Sequence, residues 1–159
     1  MSRLVPFVDV CIANEEDAAD VFAIHACNTD ITSGALSQDG YREVAKTLAD
    51  RFGFKKVAIT LRESISASCN NWAAMIYDLK EYHFSKKYPI HIVDRVGGGD
   101  SFAAGLIYGE LKGWDVKETL EFAVAASCLK HSIEGDYNLV SVDEVQKLAR
   151  GDASGRVQR

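Results

Sequence analysis

Two short apolar runs constrain the fold of this chain more than any other feature. The runs VDVCIA (8–13) and KVAITL (56–61) are rich in β-branched residues, as expected for strands buried within a sheet. Residues 17–24 and 41–52 lie between them and place their apolar side chains at helical spacing. A strand, two helices and another strand in this order predict an α/β fold with helices on both faces of the sheet.

The second half of the chain begins with a different pattern. Residues 65–93 alternate polar and apolar side chains around polar turns, which predicts further strands and an antiparallel hairpin. Helices are predicted at 101–113 and 116–130, followed by a short helix at 142–149. We therefore expect a three-layer α/β/α fold whose sheet is mostly parallel, plus the hairpin. Residues 1–150 form one unit, and residues 151–159 form a polar tail.

Composition excludes several classes of function. The 159 residues are 47% hydrophobic and carry a net charge of −5, which argues against binding nucleic acid or anionic membranes by charge. No apolar run approaches the roughly 20 residues that a bilayer requires, and the N-terminus lacks a signal-peptide pattern. The four cysteines have no CxxC spacing, which favours reduced thiols and a cytoplasmic location.

Three consecutive glycines mark the candidate functional site. Residues 94–102 read DRVGGGDSF and lie where a strand is expected to give way to a helix. Glycines at a helix N-terminus expose backbone N–H donors, so Gly97, Gly98 and Gly99 are expected to bind an anion such as phosphate. A carboxylate beside that anion is useful if Asp100 accepts a proton from an incoming hydroxyl group, which indicates phosphoryl transfer to an alcohol. The residues alone also allow a tight turn in which Asp100 is only a helix cap.

Two common nucleotide-binding loops are excluded at this position. A dinucleotide-binding GxGxxG loop requires a third glycine where Phe102 stands, and a Walker A loop requires GK[ST] where the last glycine precedes Asp100.

The stretch DRVGGGDSF resembles the C-terminal signature of the ribokinase-like (PfkB) carbohydrate kinases, commonly D-T-x-G-A-G-D-x-F. Arg95 stands where threonine is usual and Gly98 where alanine is usual. The matching positions are Asp94, Gly97, Gly99, Asp100 and Phe102. The resemblance implies that Asp100 is the catalytic base, that Gly97, Gly98 and Gly99 bind the ATP phosphates, and that Asp94 binds an activating monovalent cation such as K⁺.

Other stretches extend the resemblance. NEED (14–17) is similar to the family's N-x-x-E motif, which implies that Asn14 and Asp17 help to hold Mg²⁺ through water, although both residues also suit a helix cap. TLRES (60–64) stands where relatives carry a nucleotide loop, so Thr60 and Arg62 are expected to contact ATP. Residues 60–72 and 130–145 are most similar to 2-keto-3-deoxygluconate kinases, which makes Asp136 a candidate contact for the sugar acid.

The resemblance covers only about half of a complete kinase of this family. It predicts that residues 1–150 are the C-terminal, nucleotide-binding half of a ribokinase-like domain, and that Met1 corresponds to an internal position. We expect ATP, Mg²⁺ and K⁺ as cofactors and a sugar acid as substrate. The open alternatives are another acceptor, such as fructose, ribose or a nucleoside, and a nucleotide-binding module without turnover. A sheet cut at this point exposes an apolar edge, which predicts self-association or cover by an N-terminal half.

Overall fold

The computed structural model describes residues 1–25 and 38–151 as one mixed sheet with helices on both of its faces. The strand order is β1-β2-β3-β4, and β5 pairs with a different stretch of β3 from the one that pairs with β4. The strands are β1 (Val10–Ala13), β2 (Lys56–Ser64), β3 (Cys69–Tyr77), β4 (Tyr82–Phe84) and β5 (Tyr88–His91). The helices are α1 (Glu15–Phe22), α2 (Gln38–Phe52), α3 (Gly98–Lys112), α4 (Val116–Lys130) and α5 (Val142–Arg150), after a 3-10 turn at Val5–Phe7.

Strand direction differs from the expectation of a mostly parallel sheet. Among the described strands only β1 and β2 pair in parallel, while β2 with β3, β3 with β4 and β3 with β5 are antiparallel. The reason is the length of the connections: β2 to β3 and β3 to β4 are joined by four residues each, too few for the crossover that a parallel pair needs. The α/β class and the antiparallel hairpin are confirmed.

Two apolar clusters place the helices on opposite faces of the sheet. On one face Val44 and Leu48 of α2 pack with Val57 and Ile59 of β2 and with Met75 of β3. On the other face α3 and α4 cover the alternate side chains of the strands. This second cluster contains Ala58, Ala74, Ile76, Phe102, Leu106, Leu120 and Val124. The three layers expected from the sequence are therefore present.

Helix starts follow the capping residues predicted from the sequence. Asp115 accepts a hydrogen bond from the backbone N–H of Glu118, 2.8 Å away, at the start of α4. Ser141 and Glu144 form a capping box at the start of α5. These caps determine the residues at which α4 and α5 begin. The start of α5 in turn sets the end of the loop between the two helices.

No helix in the described ranges is long and apolar enough to cross a bilayer. Cys11, Cys69 and Cys128 are free thiols, and burial raises the pKa of Cys11 and Cys128 to about 11. Cys27, most of the predicted loop at 25–40 and residues 152–159 of the predicted polar tail lie outside the described residues.

Candidate functional site

The first glycine shapes the turn that leads into α3. Gly97 is the N-cap residue of α3 and has a φ of 78°, in the left-handed region that favours glycine. A β-carbon built on Gly97 would lie 2.2 Å from the carbonyl oxygen of Asp136, closer than atoms can approach. Position 97 therefore requires glycine for two independent reasons, its backbone conformation and the neighbouring loop.

The second and third glycines face in opposite directions. Gly98 is buried, and a β-carbon there would lie 2.7 Å from Cε1 of His131. The carbonyl of Gly98 accepts a buried hydrogen bond of 2.8 Å from the hydroxyl of Ser127 on α4. Gly99 is exposed, and a β-carbon built there would meet nothing within 4 Å. The turn is thus anchored to α4 on one side and open on the other.

Unpaired backbone donors lie on the open side of the turn. The N–H of Ser101 donates to the carbonyl of Gly97 at 2.9 Å, and the N–H of Gly98 donates to Arg95 at 3.3 Å. Within the described chain, the N–H groups of Gly99 and Asp100 have no acceptor. Free N–H groups at a helix N-terminus bind anions, because the helix dipole adds positive potential there.

Asp100 lies in the first turn of α3 and is not its cap. The N-cap is Gly97, and no side chain caps this helix. Asp100 is exposed, and its carboxylate forms no hydrogen bond or ion pair with any other part of the described chain. The interpretation of Asp100 as a capping residue is therefore wrong, and its carboxylate is free to act on a ligand.

A cleft opens at the carboxyl ends of the two parallel strands. It has a volume of about 60 Å³ and is lined by Asn14, Glu16, Thr60, Arg62 and Trp72. The structure thus brings Asn14, which follows β1, next to Thr60 and Arg62 of β2. Strand ends of this kind are the usual ligand-binding edge of a parallel α/β sheet.

Asn14 and Asp17 form a capping box at the start of α1. The side-chain oxygen of Asn14 accepts from the N–H of Asp17 at 2.7 Å, and Asp17 accepts from the N–H of Asn14 at 3.0 Å. The capping interpretation is therefore confirmed for both residues. No group of three or more His, Cys, Asp or Glu side chains in the described ranges is arranged to hold a metal ion.

Two aromatic rings connect the cleft to the glycine turn. Trp72 lines the cleft, and its ring lies 4.8 Å from the ring of His131 on the far side. His131 in turn lies against Gly98 and shares a 2.7 Å hydrogen bond through Nδ1 with the carbonyl of Ser127. The packed rings of Trp72 and His131 therefore link the cleft to the buried side of the glycine turn.

The surroundings of His131 are positively charged. Burial is the main cause that lowers the pKa of His131, and the nearby charges of Lys130, Arg95 and Arg62 lower it further. Lys130, Arg95 and Arg62 thus bring positive charge to this side of the candidate site.

Asp94 and Asp136 lie at the base of the turn. The carboxylate of Asp94 accepts from the N–H of Val96 at 3.0 Å and from the N–H of Gly135 at 2.8 Å. These backbone bonds are the main cause that lowers the pKa of Asp94, and the charge of Lys130 contributes less. Asp136 approaches Gly97 through its carbonyl oxygen, while its side chain is exposed. Both residues therefore lie beside the predicted anion site.

Comparison with known proteins identifies the family. The model of the pfkB family of carbohydrate kinases matches residues 1–142. The chain belongs to the pfkB family. A solved 2-dehydro-3-deoxygluconokinase from Thermotoga maritima is 48% identical, superposes with a TM-score of 0.86, and covers 94% of this chain with 44% of its own. A 2-dehydro-3-deoxygalactonokinase from Haloferax volcanii is 28% identical over 153 residues, which are 96% of this chain and 41% of that protein.

A third pfkB relative, a 5-dehydro-2-deoxygluconokinase from Clostridium perfringens, is 33% identical over 111 residues, or 67% of this chain and 30% of its own. This chain therefore spans less than half the length of the pfkB proteins that it matches. Its α/β fold is that of the matching part of these ribokinase-like pfkB proteins.

Sequence reasoning missed three residues of this pfkB site. Lys130 and His131 are 0% and 4% exposed and lie against Gly97 and Gly98, while Trp72 is 8% exposed and packs on His131. The available signal was a lysine and a histidine at the end of a helix that is otherwise apolar on nearly every side.

Proposed function

We propose that the chain is the C-terminal half of a sugar-acid kinase that transfers the γ-phosphoryl group of ATP to a hydroxyl group of 2-keto-3-deoxygluconate. The observation that carries the proposal is the unpaired carboxylate of Asp100 beside the free N–H groups of Gly99 and of Asp100 itself. The acceptor is supported by the 48% identity to a 2-dehydro-3-deoxygluconokinase over nearly the whole chain.

In the proposed reaction the carboxylate of Asp100 accepts the proton of the acceptor hydroxyl. The hydroxyl oxygen then forms a bond to the γ-phosphorus, and the bond from that phosphorus to the bridging oxygen of ADP breaks. The backbone N–H groups at the start of α3 stabilise the charge on the phosphoryl oxygens during transfer. General-base help of this kind contributes roughly 10²- to 10⁴-fold to the rate.

Residues of the cleft would hold the nucleotide phosphates and their metal ion. Arg62 brings a positive charge to the cleft beside Thr60. Asn14 and Asp17 would hold Mg²⁺ by accepting hydrogen bonds from its bound waters, since their capping bonds leave the second lone pair of Asn14 Oδ1 and one carboxylate oxygen of Asp17 available. Mg²⁺ bound there would neutralise phosphate charge. Asp136 would contact the sugar acid from the loop beside Gly97.

The half that completes the site would also cover an apolar surface. Val10 and Ile12 of β1 are 37% and 42% exposed, and Ile107 and Leu111 of α3 are 58% and 83% exposed. Lys56 pairs in register with Val10 and forms an ion pair with Glu110, so β1 and the end of α3 are neighbours. We call Val10, Ile12, Ile107 and Leu111 the β1–α3 surface, and propose that a second copy or an N-terminal half covers it.

An acceptor screen tests the proposal. The complete product of the gene is incubated with Mg-ATP and a panel of 2-keto-3-deoxygluconate, 2-keto-3-deoxygalactonate, fructose, ribose and adenosine, and ADP release is measured. We expect the highest kcat/KM for a 2-keto-3-deoxy sugar acid. A strong preference for a neutral sugar or a nucleoside would overturn the acceptor assignment, and ATP binding without any turnover would favour a nucleotide-binding module.

A further inference from the structure

A lysine is completely buried beneath the glycine turn. Lys130, in the last turn of α4, is 0% exposed. Its ammonium group donates to the carbonyl of Ile133 at 3.0 Å, and no carboxylate of the described chain forms an ion pair with it. Burying an ammonium group with so few partners costs several kcal/mol. A lysine at such a place indicates that its positive charge is needed there.

Lys130 also lies between the turn and the loop that follows α4. A β-carbon built on Gly97 would lie 3.1 Å from Cε of Lys130. The carbonyl oxygen of Asp136 lies beside the position of the same β-carbon. Its charge acts on Asp94, whose carboxylate binds the N–H groups of Val96 and Gly135. The ammonium group therefore donates to a backbone carbonyl oxygen, and its charge acts on the carboxylate of Asp94. These are the ligands that a monovalent metal ion would take.

The position that the resemblance assigns to a monovalent cation beside Asp94 thus already has a cation close by. An ammonium group carries the charge of K⁺, is close to it in size, and binds the same oxygen atoms. It is also tethered to α4, so it is present without any ion in solution. A metal ion next to Lys130 would meet a like charge in a buried place, which is unfavourable.

We propose that Lys130 is an internal cation that replaces K⁺ beside Asp94 and holds the 131–136 loop against the start of α3. Lys130 is then a positioning residue: it touches neither substrate, and it keeps Gly97 and the free N–H groups of α3 in place. The structural part of this proposal is independent of the kinase assignment, and only its effect on turnover rests on the proposed function.

Thermal unfolding of the complete, ligand-free gene product tests the structural part. Melting temperatures are measured at equal ionic strength in potassium, sodium and N-methylglucamine chloride. We expect the unsubstituted protein to melt at the same temperature in all three salts. Stabilisation by potassium over both other salts would overturn the proposal, and this arm requires no variant to fold.

Substitution of Lys130 provides the second arm. Lys130→Ala removes the ammonium charge and leaves an empty space beside the oxygen atoms that it served. We therefore expect the melting temperature to be lower by roughly 5 °C or more in N-methylglucamine and to be partly restored by potassium, which can occupy that space. Lys130→Met fills the space with an uncharged chain and is expected to lose stability without restoration. Lys147→Met, at an exposed lysine on α5, is the matched control and should melt like the unsubstituted protein. Equal melting of Lys130→Ala in potassium and N-methylglucamine would contradict the proposal.

The kinase assay separates failure of this proposal from failure of the proposed function. If the protein phosphorylates an acceptor, kcat and the KM for ATP should be unchanged when potassium is replaced by N-methylglucamine. For Lys130→Ala, kcat should fall at least tenfold and recover with potassium. If no acceptor is phosphorylated, the proposed function fails while the melting temperatures still decide the role of Lys130.

Discussion

At the scale of single residues, the site depends on glycines that have different tasks. Gly97 accommodates a positive φ and the carbonyl of Asp136, Gly98 lies on His131, and Gly99 faces open space. The sequence predicted the turn and the acid behind it, because GGGD combines conformational freedom with a carboxylate at a helix start. It did not predict Lys130 or His131, because their contacts join the start of α3 to the end of α4 and leave no local pattern.

This division of tasks predicts opposite effects of alanine at two neighbouring positions. Gly97→Ala should lower the free energy of unfolding by more than about 2 kcal/mol, because its methyl group meets Asp136 and its backbone is strained. Gly99→Ala should raise it by roughly 0.5–1 kcal/mol, since alanine favours the helix and meets nothing.

The same Gly99→Ala variant should bind ATP at least tenfold more weakly, because its methyl group lies in front of the free N–H groups. Denaturant unfolding and ATP titration measure the two effects. Unchanged ATP affinity in Gly99→Ala would place the phosphates elsewhere.

At the scale of elements, helix starts were predicted well and strand direction was not. Asp115, Ser141 and Asn14 begin α4, α5 and α1 through side-chain caps that depend only on residues three positions away. Strand pairing depends on which strands meet across the sheet. The apolar runs showed that β1 and β2 are buried strands, but the antiparallel pairings of β3 with β2 and with β4 follow from short connections that a periodicity argument does not evaluate.

The capping box of α1 allows the two roles of Asn14 to be separated. Asn14→Ser retains a good N-cap, so the melting temperature should change by less than roughly 2 °C. The shorter side chain no longer reaches the water shell of Mg²⁺, so the Mg²⁺ concentration for half-maximal activity should rise several-fold.

Asn14→Ala is the paired variant and should lose both properties, with a loss of about 1 kcal/mol in stability. Melting curves and Mg²⁺ titrations of activity measure these changes. An unchanged Mg²⁺ requirement in both variants would leave Asn14 with the capping role only.

At the scale of the whole molecule, the chain presents two contrasting surfaces. The site edge carries polar groups and the ends of β1, β2 and α3, whereas the β1–α3 surface exposes four large apolar side chains. β1 pairs on one side only among the described strands, so its other edge has unpaired backbone groups. The resemblance to half of a pfkB kinase predicted this exposed edge, and the composition of the chain alone did not.

The exposed surface predicts that the 159-residue chain associates when it is expressed alone. At micromolar concentration it should sediment as a dimer or larger species, because burying the β1–α3 surface removes apolar area from water. Ile107→Gln combined with Leu111→Lys should shift it toward a monomer. Ile65→Lys, at an exposed position in the turn between β2 and β3, is the control and should not. A monomeric unsubstituted chain would contradict this prediction.

The central claim is that Asp100 accepts the proton of the acceptor hydroxyl beside the phosphate-binding N–H groups of α3. The most direct test is Asp100→Asn in the complete gene product, with kcat and ATP affinity measured on the same preparation. Asparagine keeps the size of the side chain but has no carboxylate, so we predict that kcat falls by about 10³-fold while the Kd for Mg-ATP changes less than threefold. A kcat that remains within tenfold of the unsubstituted enzyme would contradict the account.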